Sequence, residues 1–154
     1  MEKLFDITLK NRVILHKFLT ETPKEDLFII PDGFNNNIWW NIAHVVVTQQ
    51  ILVYKLSGKT LLISDELVGM YKKGTAPDGK PVSDTEIEDV KILLFSTVEE
   101  TQRAYDNGEF TNYDSYTTTP KVTLDSAADA IAFNIFHEGI HLGSILALKR
   151  AIAK

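Results

Sequence analysis

Between Ala128 and Leu148 the chain places Ala128, Ile131, Phe133, Phe136, Ile140, Ile145 and Leu148 at positions that, at about 100° per residue, point in nearly every direction around a helix. A helix with a single dry face can lie on a surface, but one that is apolar almost all round needs neighbours on several sides. It must be central in a helical fold or face a second copy of the chain. Asp125 is placed to cap its start, and Lys149, Arg150 and Lys154 sit at the negative end of its dipole.

Three more long helices are available to cover it. Leu4, Ile7, Val13, Ile14, Phe18 and Leu19 recur near a 3.6-residue period over Glu2 to Thr20. Pro23, Pro31 and Gly33 interrupt that pattern, and Asn35, Asn36 and Asn37 offer cap oxygens for a second helix running to Ser57 and stopping at Gly58. The run Val45 to Val47 is strand-like by propensity, yet some 20 residues without a turn signal exceed the length of an ordinary strand. Lys59 to Val82 reads as a long connection with a short helix near Ser64 to Met70. Ser83 and Glu86 form a capping box that starts a third long helix reaching Asp106, and Asn107-Gly108 ends it. The segment onward to Leu124 reads as a second long loop or a short hairpin. The expected fold is all-α: one domain over residues 1–154, a four-helix bundle with long crossover connections.

Composition limits what such a bundle can do. Sixteen Lys and Arg against 21 Asp and Glu leave a net charge of −5 with no basic run, so no nucleic-acid partner is expected. No apolar stretch reads as a bilayer span, and Glu2 and Asp6 stand where a secretory leader would be apolar; the expectation is no membrane and a cytoplasmic home. The absence of Cys excludes disulfides, thiolate metal sites and a Cys nucleophile. Any transition metal must therefore rest on His, Asp or Glu.

His137 and His141 lie four apart, about 40° round one helix face, where one cation could bridge them. Spacing alone equally allows two histidines satisfied by hydrogen bonds. The full stretch, HEGIH, matches HExxH, in which two His bind zinc and the Glu is a peptidase base. The residues after His141 hold no His, Asp or Glu to supply a third ligand, so a metallopeptidase is disfavoured. Glu138 could contact metal-bound water as a catalytic group or sit at a solvated rim. His44, flanked by Ile42, Ala43, Val45, Val46 and Val47, is either a satisfied core residue or the third imidazole brought in by the second helix. His16, beside Lys17, is expected at the surface. Residues one turn from these imidazoles, namely Trp40, Thr48, Asn134 and Ser144, are candidate substrate-binding walls, with Trp39 and Trp40 also suited to packing.

NNNIWWNIAHVVVTQQ together with FHEGIHLGSILALKR resembles the DinB superfamily, the DinB/YfiT-like metalloenzymes, and the resemblance spans essentially the whole chain. It implies a four-helix bundle with a long crossover, a nickel or zinc ion held by His44, His137 and His141, a small residue at Gly143, and frequent homodimers. Ser144 stands where Gln is common in that family. Activities known in the family include thiol S-transfer with bacillithiol and a mycothiol-dependent isomerisation. The resemblance thus implies a metal-dependent enzyme on a small-molecule substrate, a thiol-dependent S-transferase or a hydrolase, with a low-molecular-weight thiol as cosubstrate. The alternative is a noncatalytic metal-binding or stress-related helical dimer.

Overall fold

A computed structural model describes residues 1–153, and Lys154 of the expected basic helix end lies outside the described residues. Five α-helices dominate it: α1 (Glu2–Glu21), α2 (Ile38–Gln50), α3 (Asp65–Tyr71), α4 (Asp84–Asp106) and α5 (Ala127–Ile152). A single two-stranded hairpin, β1 (Tyr116–Thr117) and β2 (Thr123–Leu124), pairs Tyr116 with Leu124 and Thr117 with Thr123. The fold is all-α. α5 packs on α2 and α1, α1 on α4, and α4 on α2, so the four long helices close a ring in which α1 faces α2 across the middle and α4 faces α5. α4 and α5 lie on a diagonal, which requires the long connection read from the sequence after Asn107-Gly108, whereas the connection from Lys59 to Val82 joins the neighbours α2 and α4.

The helix starts show why these segments fold locally. Asn37 accepts from the Trp40 amide, and Ser83 and Glu86 make the reciprocal box, Ser83 Oγ receiving the Glu86 amide at 3.1 Å while Glu86 Oε2 receives the Ser83 amide at 2.9 Å. At α5 the cap is Ser126, not Asp125: Ser126 Oγ receives the Asp129 amide, and Asp129 Oδ2 takes the Asp125 amide and the Ser126 hydroxyl. The second helix also departs from the expected course. After Gln50 it widens into a π-helical turn over Ile51–Lys55 before Gly58, at φ 67°, ends it. The wide turn keeps Leu52, Val53 and Tyr54 buried while Gln50 Oε1 caps the Leu62 amide of the next segment.

Two apolar clusters make up the core. One gathers Leu15, Leu19, Ile42, Leu94, Ile145 and Leu148, the other Phe5, Leu52, Val53, Val98, Ala130 and Ile131. Between them along each helix lie buried polar residues: Thr8 and Arg12 on α1, Gln49 and Gln50 on α2, Thr97 and Thr101 on α4, Asn134 and Glu138 on α5. They bond mainly to one another, as in the 2.7 Å contact from Gln49 Nε2 to Thr101 Oγ1. By length and composition alone, α5 is apolar enough to cross a bilayer, which corrects the sequence reading that no segment is. Its inward face carries polar and charged side chains, and its outer face leaves Phe136 53%, Ile140 50% and Leu146 48% exposed. Replacing Ser83 by Ala removes one side of the α4 capping box, with an expected loss of about 1 kcal/mol in urea unfolding and no change in the helical circular-dichroism spectrum.

Candidate metal centre

Three of the four histidines meet where α2 and α5 pack. His44 comes from the middle of α2, His137 and His141 from successive turns of α5, and their ligand nitrogens all lie within 4.8 Å of one another. Ring centroids are 5.2 Å apart for His44 and His137, 4.8 Å for His44 and His141, and 4.5 Å for His137 and His141. His16 is outside this group; it is half-buried against Phe95 rather than at the free surface, with ring centroids 5.4 Å apart.

Hydrogen bonds set the tautomers. His44 Nδ1 lies 2.6 Å from the Tyr71 carbonyl, which can only accept, so Nδ1 carries the proton and Nε2 keeps its lone pair. Tyr71 is itself held by Trp39, whose Nε1 donates to the Tyr71 hydroxyl at 2.7 Å. His141 Nδ1 lies 2.7 Å from Asn41 Oδ1. The Asn41 amide nitrogen already donates to Asn36 Oδ1 and the Asn37 carbonyl, so Oδ1 is the acceptor and His141 likewise presents a bare Nε2. His137 Nε2 is 3.1 Å from His141 Nε2 and donates to it, while His137 Nδ1 is buried without a protein partner. A tetrahedral zinc holds its nitrogens about 3.3 Å apart; His137 and His141 are already at that spacing, the full set lies within 4.8 Å, and fixing two imidazoles through their Nδ1 protons is how ligating histidines are oriented. The residues fit a divalent metal: on binding it would take the three Nε2 atoms, with the His137 proton moving to Nδ1.

Electrostatics favour the same form. Burial, and then the like charge that His141, His44 and Arg12 would oppose to it, pushes the His137 imidazole down to about 2. Burial and then His44 push His141 down to about 4. Burial also lowers His44, opposed by its bond to the Tyr71 carbonyl. All three are neutral near pH 7, the protonation state a metal requires.

Glu138 does neither thing expected of it. It is fully buried and turned away from the imidazoles into the α1–α5 seam, where Oε1 accepts from Arg12 Nε at 2.8 Å and Asn134 Nδ2 at 2.7 Å. Arg12 Nη2 is 2.7 Å from the same oxygen, an ion-pair contact without the angle of a hydrogen bond. The cause is helical geometry: Glu138 lies about 100° round α5 from His137, and the side of α5 it occupies faces α1. HEGIH therefore supplies two imidazoles but no carboxylate to a metal-bound water. Asn134 is drawn into the same pair and Ser144 donates to the Ile140 carbonyl of its own helix, and neither lines the cavity beside the imidazoles.

The walls are elsewhere. A cavity of about 420 Å³ opens beside His44 and His137, lined by Thr48, Leu52, Phe133, Phe136 and Ile140, with the hairpin residues Thr118, Thr119 and Pro120 and with Lys73 completing it. Thr48 is the one expected wall residue found there, its hydroxyl 3.2 Å from His44 Nε2. Trp40 backs the site instead, stacked on the His44 ring at 4.5 Å and 12° and donating to Thr75 Oγ1. A larger cavity of about 470 Å³ between α3 and α4 holds Glu66, Glu86 and Asp89 but no imidazole. Arg12, Asn41, Tyr71 and Lys73 were not singled out from the sequence. Arg12 was legible in principle, since Phe5, Thr8, Arg12, Leu15 and Leu19 share the buried stripe of α1; the others depend on long-range contacts.

Glu138→Gln preserves shape but leaves the Arg12 cation uncompensated, for an expected loss of about 3–5 kcal/mol in urea unfolding. The double variant Arg12→Met/Glu138→Leu should recover much of that loss. Recovery of nothing would show that the pair itself is not what the seam needs.

No curated protein matches the chain. The family model described as the DinB superfamily matches residues 8–145, a span that includes α2, the whole of α4 and all three converging imidazoles. With that match covering most of its length, the chain belongs to the DinB superfamily.

Proposed function

We propose that the chain is a metal-dependent enzyme of the DinB type, holding nickel or zinc on His44, His137 and His141 and transferring the sulfur of a low-molecular-weight thiol to a small electrophilic substrate. The observation that carries this is the convergence of three neutral imidazoles, two with their Nε2 lone pairs fixed inward, beside a largely apolar cavity. A divalent metal there would supply Lewis acidity, lowering the pKa of a thiol or water in its open position. The chain's own part is to hold and shape. Tyr71 and Asn41 orient two rings, Trp40 covers the back of His44, and Phe133, Phe136 and Ile140 give the cavity an apolar side. Thr48 has a hydroxyl in reach of a group entering beside His44. No carboxylate lines the cavity among the described residues, which favours a nucleophile ionised by the metal, thiol or water, over one needing a carboxylate base.

The placement of Glu138 also supports a second reading, a noncatalytic metal-binding or stress-related helical dimer, because it removes the candidate base that sequence offered. Elemental analysis and assays with bacillithiol, mycothiol and simpler thiols against electrophiles separate the two: metal with turnover supports the enzyme, metal without turnover the alternative. His141→Ala should abolish tight metal binding yet leave a helical protein that unfolds cooperatively, since the core clusters owe nothing to the ion. In the parent, metal at 100 times its dissociation constant should add about 2.7 kcal/mol. An unfolded variant would make the metal structural.

A cytoplasmic homodimer is part of this proposal. Leu146 on α5 is exposed beside Phe136 and Ile140, which rim the imidazole cavity, so a second copy seated on this apolar side would cover Leu146 and close over the cavity's outer edge. Light scattering should give twice the 17.4 kDa chain mass at micromolar concentration, and Leu146→Asp should shift it toward the monomer.

A further inference from the structure

We propose that the molecule entering the imidazole cavity is a small organic acid with an apolar body, its carboxylate held by Lys73; this rests on the reading above only for what happens at the imidazole end. The first support is where Lys73 sits. It follows Tyr71, whose carbonyl orients His44, by two residues, so its backbone is within about 7 Å of that anchor along the chain. Its ammonium crosses to the hairpin and donates to Thr119 Oγ1 at 2.8 Å, joining the two segments that bound the cavity.

The second support is charge. The Thr119 hydroxyl is neutral, and among the described residues no carboxylate lies within ion-pair distance of Lys73, so two of its three N–H donors remain for a ligand. The chain carries a net charge of −5, and each cavity elsewhere holds more acids than bases: Glu66, Glu86 and Asp89 between α3 and α4, Glu66, Glu86 and Asp78 against Lys80 beside Trp39, and Glu21 and Asp26 against Lys149 near Pro23. The imidazole cavity has no acid and one cation. An anion meets carboxylates in each of the others and none in this one.

The third support is the lining. Leu52, Phe133, Phe136, Ile140 and Pro120 suit a hydrocarbon or aromatic body, and about 420 Å³ is room for a small molecule. One lysine is the whole cationic lining of the cavity, enough to neutralise a carboxylate monoanion but only half of a phosphate dianion.

The test is calorimetric titration of the full chain with octanoate, 1-octanol and octylamine, first stripped of metal so that the carboxylate has only Lys73 to meet, then with zinc. Octanoate should bind saturably and tightest in both forms. Lys73→Met should weaken octanoate about tenfold, the size of one charge-assisted hydrogen bond, while changing octanol less than about twofold. Lys72→Met, next to it in sequence, should leave octanoate unchanged. Equal affinity for octanoate and octanol in the parent chain, or an unaltered octanoate affinity in Lys73→Met, overturns the proposal. Zinc binding by Lys73→Met should equal that of the parent, so a failure of the metal reading appears in that titration and not in the octanoate one.

Discussion

The buried pair of Arg12 and Glu138 sets the rotation of α5, and the site follows from that rotation. An apolar helix can turn about its axis at little cost because one Leu or Ile replaces another against its neighbours. A carboxylate buried at 0% exposure cannot turn, since leaving Arg12 would strand two charges in the core. With Glu138 pinned against α1, the side chains about 60° to 100° round the helix from it face α2, and these are His141 and His137. The pair thus works on the imidazoles by aiming the helix that carries them. It also lies in the polar layer that separates the two apolar clusters, where mismatched registers of the four helices would leave Gln49, Thr101 and Arg12 unpaired.

Around the imidazoles the same economy recurs with neutral partners. The Tyr71 carbonyl and Asn41 Oδ1 accept protons without adding charge, so they orient His44 and His141 while burial keeps every ring in its neutral form. A carboxylate in either place would have raised the imidazole pKa values and made protons stronger competitors for the metal. Asn41 can serve because its own amide is already committed to the Asn-rich turn before α2, so the cap of that helix and the orientation of a ring on α5 are one network.

The cavity is assembled from segments that contribute little to the core. The hairpin brings Thr118, Thr119 and Pro120 over it, and the exit from α3 brings Lys73, while α2 and α5 supply the floor. Helices hold the imidazoles and connections complete the cavity beside them, the usual division between scaffold and loop.

Much of this molecule was legible in its sequence because it rests on local rules. Capping boxes, helix periods and glycine stops located the long helices, and the three histidines stood out because an imidazole among Val45, Val46 and Ile42 or beside Phe136 and Ile140 needs a partner. Local rules failed where two answers satisfy the same spacing. HEGIH allows Glu138 to face a metal, water or another helix, and only the presence of Arg12 across the α1–α5 seam decided it, through an interaction 126 residues apart in sequence. Trp40, Asn134 and Ser144 lie one turn from an imidazole, yet a turn of helix does not say which neighbour lies on that side. Residue types and helical periods are properties of the chain itself, whereas the azimuth of each helix and the partner of each buried charge exist only once the helices pack.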